Sequence, residues 1–149
     1  MRIVGLWLLC DDGITRPTIR GEVVTADGKR VQEDFLSDTG ADRTVLCATI
    51  IERLGLATDK LPRPAFSLEG IGGASDFLLL PASLEFLRDD GVPIQIRGDF
   101  AVFTDITASD RSVLGRDVLD NFSLIVSRPR NEVLLLAGNH RYEVVSAEV

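Results

Sequence analysis

Apolar and β-branched residues recur along this chain in short runs, each closed by a turn residue, and that pattern builds strands rather than helices. The runs are Ile3 to Leu9, Thr18 to Thr25, Arg30 to Leu36, Phe77 to Phe86, Pro93 to Phe103, Phe122 to Ser127, Glu132 to Leu136 and Tyr142 to Val145. Asp27-Gly28, Asp90-Gly91 and Gly138-Asn139 separate hairpins, because these residues tolerate the positive φ of a tight turn. A meander of this kind closes on itself, so the expected fold is mainly β and barrel-like.

Two segments break the pattern. Val45 to Leu54 carries apolar residues at helical spacing and stops at Gly55, and Arg116 to Asn121 reads as a helical turn or two. With 149 residues and no linker, repeat or charge block, one domain is expected over 1–149, in which residues 122–149 add a C-terminal β segment and Ser146 to Val149 fray. The net charge of −7 repels phosphate backbones and anionic lipid, which argues against nucleic acid and membrane surfaces as partners. Cys10 and Cys47 are too few for a disulfide scaffold and lack metal-ligand neighbours. The opening apolar run is short for a signal peptide and meets Asp11 and Asp12 at once, while Leu9 stands where lipidation of Cys10 requires a small residue. A cytoplasmic location is the expectation.

The chemistry concentrates where the run ending Phe35-Leu36-Ser37 enters Asp38-Thr39-Gly40-Ala41-Asp42, a small-residue turn carrying a carboxylate at a strand end. Taken alone, such a triplet is also an ordinary Asx turn. It is followed by Thr44-Val45-Leu46, and much later by Val113-Leu114-Gly115-Arg116-Asp117-Val118-Leu119, with Glu69-Gly70-Ile71-Gly72-Gly73-Ala74 between them.

This ordered set resembles the retropepsin family of aspartic proteases, from about residue 1 to about residue 125. The resemblance implies a closed β-barrel with a flap hairpin, one or two short helices and a function as a homodimer. It makes Asp38 the catalytic aspartate, Thr39 a brace between two active-site loops, and Gly40, with Ala41, part of the active-site loop against substrate. Asp42 and Arg116 match a buried ion pair between that loop and the C-terminal helix. Gly70, Ile71, Gly72 and Gly73 match the flap, with the Ile71 amide at its tip, and Arg111, Ser112 and Val113 match a loop lining the substrate pocket.

Carboxylate chemistry supplies its own constraint. Hydrolysing a peptide bond with acids takes two of them, one ionised to receive a proton from water and one protonated to polarise the carbonyl. At ~3 Å and an effective dielectric of ~20, two ionised carboxylates repel by about 5 kcal/mol, so the pair shares one proton. This chain carries one such triplet, and a two-fold dimer provides the second Asp38. Small Thr39, Gly40 and Ala41 let two backbones approach the axis, and a cleft beneath a hairpin suits an extended protein or peptide substrate. The expected activity is an aspartic endopeptidase with water as nucleophile and no metal or cofactor. The alternative is a catalytically silent dimer of the same fold that binds peptides or serves assembly. A metal or phosphoryl-transfer site on Asp38 and Asp42 is disfavoured, since no His, Lys or glycine-rich phosphate loop accompanies them.

Several positions depart from the family pattern. Ser37 replaces an apolar residue, Arg43 stands where a second acid is frequent, Arg111 puts a charge in the pocket, and residues 122–149 leave open how the dimer is sealed. The remaining conspicuous residues read as structural: His140 as a surface turn, Trp7 as core, Cys47 as a buried thiol, and Asp11-Asp12 and Asp89-Asp90 as solvated turns.

Overall fold

The computed structural model describes residues 2–62, 68–70, 73–75, 77–105 and 111–138. Its elements in chain order are β1 Arg2–Val4, β2 Leu6–Leu9, β3 Thr15–Thr25, β4 Arg30–Ser37, β5 Val45–Leu46, α1 Thr49–Arg53, a 3-10 turn at Thr58–Lys60, β6 Leu68–Gly70 and β7 Gly73–Ser75. Then come β8 Phe77–Leu87, β9 Pro93–Phe103, β10 Ser112–Leu114, α2 Arg116–Leu119, β11 Phe122–Ser127 and β12 Glu132–Ala137. None of the helices described is long and apolar enough to cross a membrane.

Strands β3, β4, β10, β5, β9 and β8 follow one another in hydrogen-bonded order, and β8 returns to β3, closing a six-stranded barrel as the alternating pattern requires. Inward residues fill it: Ile19, Val23, Phe35, Leu46, Leu84, Phe86, Val102 and Leu114 are all buried. Phe35 and Phe86 meet edge to face with centroids 5.9 Å apart. Gly21 makes room for that pair, since a Cβ there would lie 2.7 Å from the Phe86 ring.

The long hairpin of β8 and β9 turns at Asp90-Gly91, with Gly91 at φ +82°, and the hairpin of β3 and β4 turns at Gly28, at φ +88°. Ile71 and Gly72, expected at the flap tip, lie outside the described residues, as do Tyr142 to Val145, His140 and the last four residues. The flanking strands β6 and β7 pair antiparallel from Leu68↔Ser75 to Gly70↔Gly73.

Two expectations change. Ile3 to Leu9 is two strands, because β1 joins β12 while β2 joins β3, and the chain crosses between sheets at Gly5. Val45 to Leu54 is not a continuous helix: Val45 and Leu46 form β5, and the helix begins at Thr49. The helical spacing was real because Leu46, Ile50, Ile51 and Leu54 all drop into one core. Gly55, at φ +63°, ends α1 as read, its amide and that of Leu56 closing on the Glu52 and Ile51 carbonyls at 3.0 Å each. The two strands expected after residue 121 are present as a hairpin of β11 and β12, which joins the N-terminal strand in a sheet ordered β1-β12-β11.

Gly5 carries the sheet crossing. A Cβ there would lie 2.4 Å from the Thr18 carbonyl oxygen and 2.6 Å from Ile19 Cδ1. Gly5→Ala therefore overpacks a backbone contact that cannot yield, and about 2 kcal/mol of stability should be lost. Thermal unfolding checks this: the midpoint should fall by about 4 °C or more, and an unchanged midpoint would contradict the crossing geometry.

Candidate active site

Two parallel strands bring the separated motifs together. β4 and β10 pair Phe35↔Ser112, Leu36↔Val113 and Ser37↔Leu114, so Asp38 and Gly115 emerge side by side. The Asp38 amide continues the ladder by donating to the Leu114 carbonyl at 3.1 Å. The chain then turns, with the Ala41 amide donating to the Asp38 carbonyl at 3.2 Å and the Gly40 amide donating to Asp38 Oδ1 at 2.9 Å. The Asx turn and the candidate catalytic triplet are thus one geometry: a small-residue loop that holds the carboxylate at the surface. Asp38, Thr39 and Gly40 are exposed and Ala41 is half-buried.

The loop is fastened to α2 mainly through backbone. Arg116 N–H donates to the Ala41 carbonyl at 2.8 Å, Asp117 N–H to the Asp42 carbonyl at 3.3 Å, and the Arg116 guanidinium to the Thr39 carbonyl at 3.5 Å. Arg116 and Asp42 form the expected ion pair, but their side chains are 50% and 80% exposed, so the pair is not buried as the resemblance implied. It lies on the open outer side of the loop, while the interior tie is made by other residues.

That tie is Thr44 with Asp117, which sequence reasoning did not single out. Buried Thr44 donates to Asp117 Oδ1 through its amide at 2.8 Å and its hydroxyl at 2.7 Å, and the same hydroxyl accepts the Gly115 amide at 3.0 Å. Gly115 must be glycine here, since a Cβ would lie 2.4 Å from the carbonyl carbon of Arg43. The available signal was a threonine ahead of an apolar run and an aspartate in the first turn of a helix. Just before Asp38, the buried Ser37 hydroxyl has no hydrogen-bond partner among the described residues.

The three expected pocket residues part company. Ser112 is wholly buried: its hydroxyl accepts the Cys47 amide at 2.9 Å and donates to Glu33 Oε2 at 3.0 Å, so it supports β10 from beneath. The Cys47 thiol, buried as expected, donates to the same Glu33 oxygen at 3.2 Å, and Arg53 pairs with it at 2.8 Å. Val113 is half-buried between Leu36 and Val45. Arg111 does line a cleft, of about 170 Å³, with Leu36, Cys10, Asp11, Asp12 and Arg16. Neither this cleft nor the larger hollows of about 390 and 680 Å³ include a residue of the Asp38 loop or β10, but the cleft reaches Leu36 and Arg111, which lead into them.

At the cleft, Arg16 grips Asp12 with two hydrogen bonds of 2.9 and 2.6 Å. That contact, with the Ile14 amide, lowers the Asp12 carboxyl to about 2. Trp7, expected in the core, is only partly buried; its indole N–H reaches the Ser127 and Glu132 carbonyls at 3.3 Å each, and Arg128 covers its ring.

No protein-family model matches the chain, and no curated protein does. Solved structures do. EIAV protease complexed with the inhibitor HBY-793 is 22% identical over 70% of this chain and 86% of that one, with a TM-score of 0.51. A retropepsin-like aspartic protease from Rickettsia conorii is 18% identical over 91% of this chain and 98% of that one, with a TM-score of 0.59. At such identities what is shared is the fold.

The interior tie and the outer pair should separate on substitution. Thr44→Val strands the buried Gly115 amide, costing about 2 kcal/mol, whereas Thr44→Ser keeps both hydroxyl bonds. Arg116→Ala should cost under about 1 kcal/mol, as exposed pairs do, and Ser37→Ala should not destabilise. Denaturant titration of the four variants gives the order directly; an Arg116→Ala loss exceeding that of Thr44→Val would reverse the assignment.

Proposed function

For a chain with the retropepsin fold, we propose aspartic endopeptidase activity, with Asp38 as the catalytic residue and the second carboxylate supplied by Asp38 of a second copy. The observation that carries this reading is the placement of Asp38. It leaves the paired ends of β4 and β10 on an exposed loop that is fixed from behind by α2 and orients its carboxylate through the Gly40 amide. One acid held in this way is half of a general acid–base pair.

In the proposed reaction the ionised carboxylate takes a proton from water as the oxygen attacks the scissile carbonyl, and the protonated partner donates to the carbonyl oxygen. Collapse of the tetrahedral diol returns a proton to the leaving amine, and the dyad regains its single shared proton. Thr39 braces the two loops across the axis, and Gly40 offers backbone to the substrate. The hairpin of β6 and β7, with Gly70 and Gly73 at its last described pair, acts as the flap, excluding bulk water from the cleft. The substrate is a protein or peptide in extended form, held by strand-like hydrogen bonds. Arg111 and the Asp12–Arg16 pair give the adjoining cleft a polar lining, so its side-chain preference should differ from that of an apolar pocket.

Digestion of an unbiased peptide mixture between about pH 3 and 7, read by mass, tests the proposal. Wild type should cut and Asp38→Asn should not, while both remain folded. Asp12 adds a pH control. Its carboxyl is depressed when folded, so what the Arg16 contact contributes is present above the unfolded value, near 4, and is lost as pH falls through about 2. Asp12→Asn should therefore leave the acid limb of the activity profile in place. Cleavage by Asp38→Asn contradicts the proposal; folded wild type that cuts nothing favours the silent peptide-binding module.

A further inference from the structure

A polar cluster lies apart from the Asp38 loop, and Glu33 on β4 is its centre. The Glu33 side chain is 12% exposed. Its Oε2 accepts from three sides: the Ser112 hydroxyl at 3.0 Å, the Cys47 thiol at 3.2 Å and the Arg53 guanidinium at 2.8 Å. Its other oxygen accepts the Asp34 amide at 3.1 Å. Arg53 also donates to the Gln32 carbonyl at 2.9 Å, and Ser112 Oγ accepts the Cys47 amide at 2.9 Å. Glu33 therefore ties β4 to the first residue of β10, to Cys47 ahead of α1 and to Arg53 at the end of α1. A polar network satisfied in this way holds its members to one arrangement.

The register shows what that arrangement positions. Strand residues alternate between faces, so Glu33 and Phe35 share one face of β4 and Leu36 takes the other. Ser112 stands opposite Phe35, and Val113 opposite Leu36. Leu36 and Arg111, the residue next to Ser112, line the cleft of about 170 Å³, and its Leu36 wall runs on to Asp38 two residues later. The Asp38 loop has other supports: Gly115 on Thr44, and the α2 amides on Ala41 and Asp42. The cleft wall and the carboxylate are thus held separately, the first by Glu33 from the opposite face of the strands.

We propose that Glu33 is a positioning residue for substrate selection: by seating Ser112 it fixes the Arg111 wall of the cleft, and so sets which substrate side chain is accepted there. The inference rests on the reading of the site as a peptidase, and adds to it a residue that touches no substrate. Because the Asp38 loop is held independently, loosening the Glu33 tie should change side-chain preference and KM while turnover is kept.

Glu33→Gln, Ser112→Ala and the double variant test this, with circular dichroism and melting to establish that each is folded. Arg53→Ala removes one donor from a side chain 37% exposed and gives a milder form of the same change without opening the core. Digestion of a peptide mixture, read by mass, gives the residues preferred at the cut ends, and one cleaved peptide gives KM and kcat. Each single variant should shift the preference and raise KM by about fivefold or more, with kcat within about twofold of wild type. The double variant should go no further than the larger single, because both break one tie. Modification of Cys47 by an aromatic disulfide, mapped by mass, reads the tie without activity: the thiol is buried, and Glu33→Gln should speed its reaction by about tenfold or more through local opening. Folded variants with the wild-type preference and KM, or with a lowered kcat alone, overturn the inference. The two readings fail differently. Wild type that cuts while the variants select as it does overturns selection by Glu33 alone. Folded wild type that cuts nothing overturns the peptidase and selection together, and a faster Cys47 reaction in Glu33→Gln then leaves the tie as a structural feature.

Discussion

The backbone of Gly115 presses against that of Arg43 so closely that a Cβ would lie 2.4 Å from its carbonyl carbon, and the placement of Asp38 follows from that contact. It brings the Gly115 amide onto the Thr44 hydroxyl, which in turn donates to Asp117 at the start of α2. Three backbone-level connections then run between the Asp38 loop and its neighbours: Asp38 to Leu114, Arg116 to Ala41, and Asp117 to Asp42. A buried threonine whose amide and hydroxyl are both engaged is a stiff joint, because losing the hydroxyl strands the buried Gly115 amide away from water. The surface ion pair of Asp42 and Arg116 decorates this joint rather than making it.

The hairpins were legible because alternation and turn residues agree over long spans. β8 and β9 pair without a slip from Phe77↔Phe103 to Leu87↔Pro93 around the Asp90-Gly91 turn. What could not be read was short or set by distant partners. β5 and β10 span Val45–Leu46 and Ser112–Leu114, too few residues to show a period, yet they sit between β4 and β9 and complete the barrel. Val45 to Leu54 satisfied a helical pattern because a strand end and a helix face share one core. Nor does local sequence distinguish a buried ion pair from an exposed one. That depends on what covers the loop, and here the inward position went to Thr44, which reaches out to the exposed carboxylate of Asp117.

The candidate site itself was legible as a set of motifs but not as a division of labour. Asp38, Thr39 and Gly40 stand together on the loop as their order suggested. Ser112, expected at the pocket, instead engages Glu33 and Cys47 beneath β10, leaving Arg111 as the member of that trio that faces a cleft. A hydroxyl in a strand faces one side or the other, and here the half-buried Glu33 carboxylate and the Cys47 amide, both within hydrogen-bond reach of Ser112, settle which.

All of this gives each chain one exposed, well-held carboxylate. The central claim is that catalysis needs Asp38 from two chains at once. Mixing tests it most directly: wild type and Asp38→Asn are unfolded together, refolded at equal amounts to equilibrate the protomers, and assayed for peptide cleavage against wild type at the same total concentration. A shared dyad predicts that only the dimer with two intact chains is active, so activity falls to about a quarter, as random pairing about a two-fold axis requires. A fall to about a half, in simple proportion to the wild-type chains present, would mean that each chain acts alone and would contradict the account.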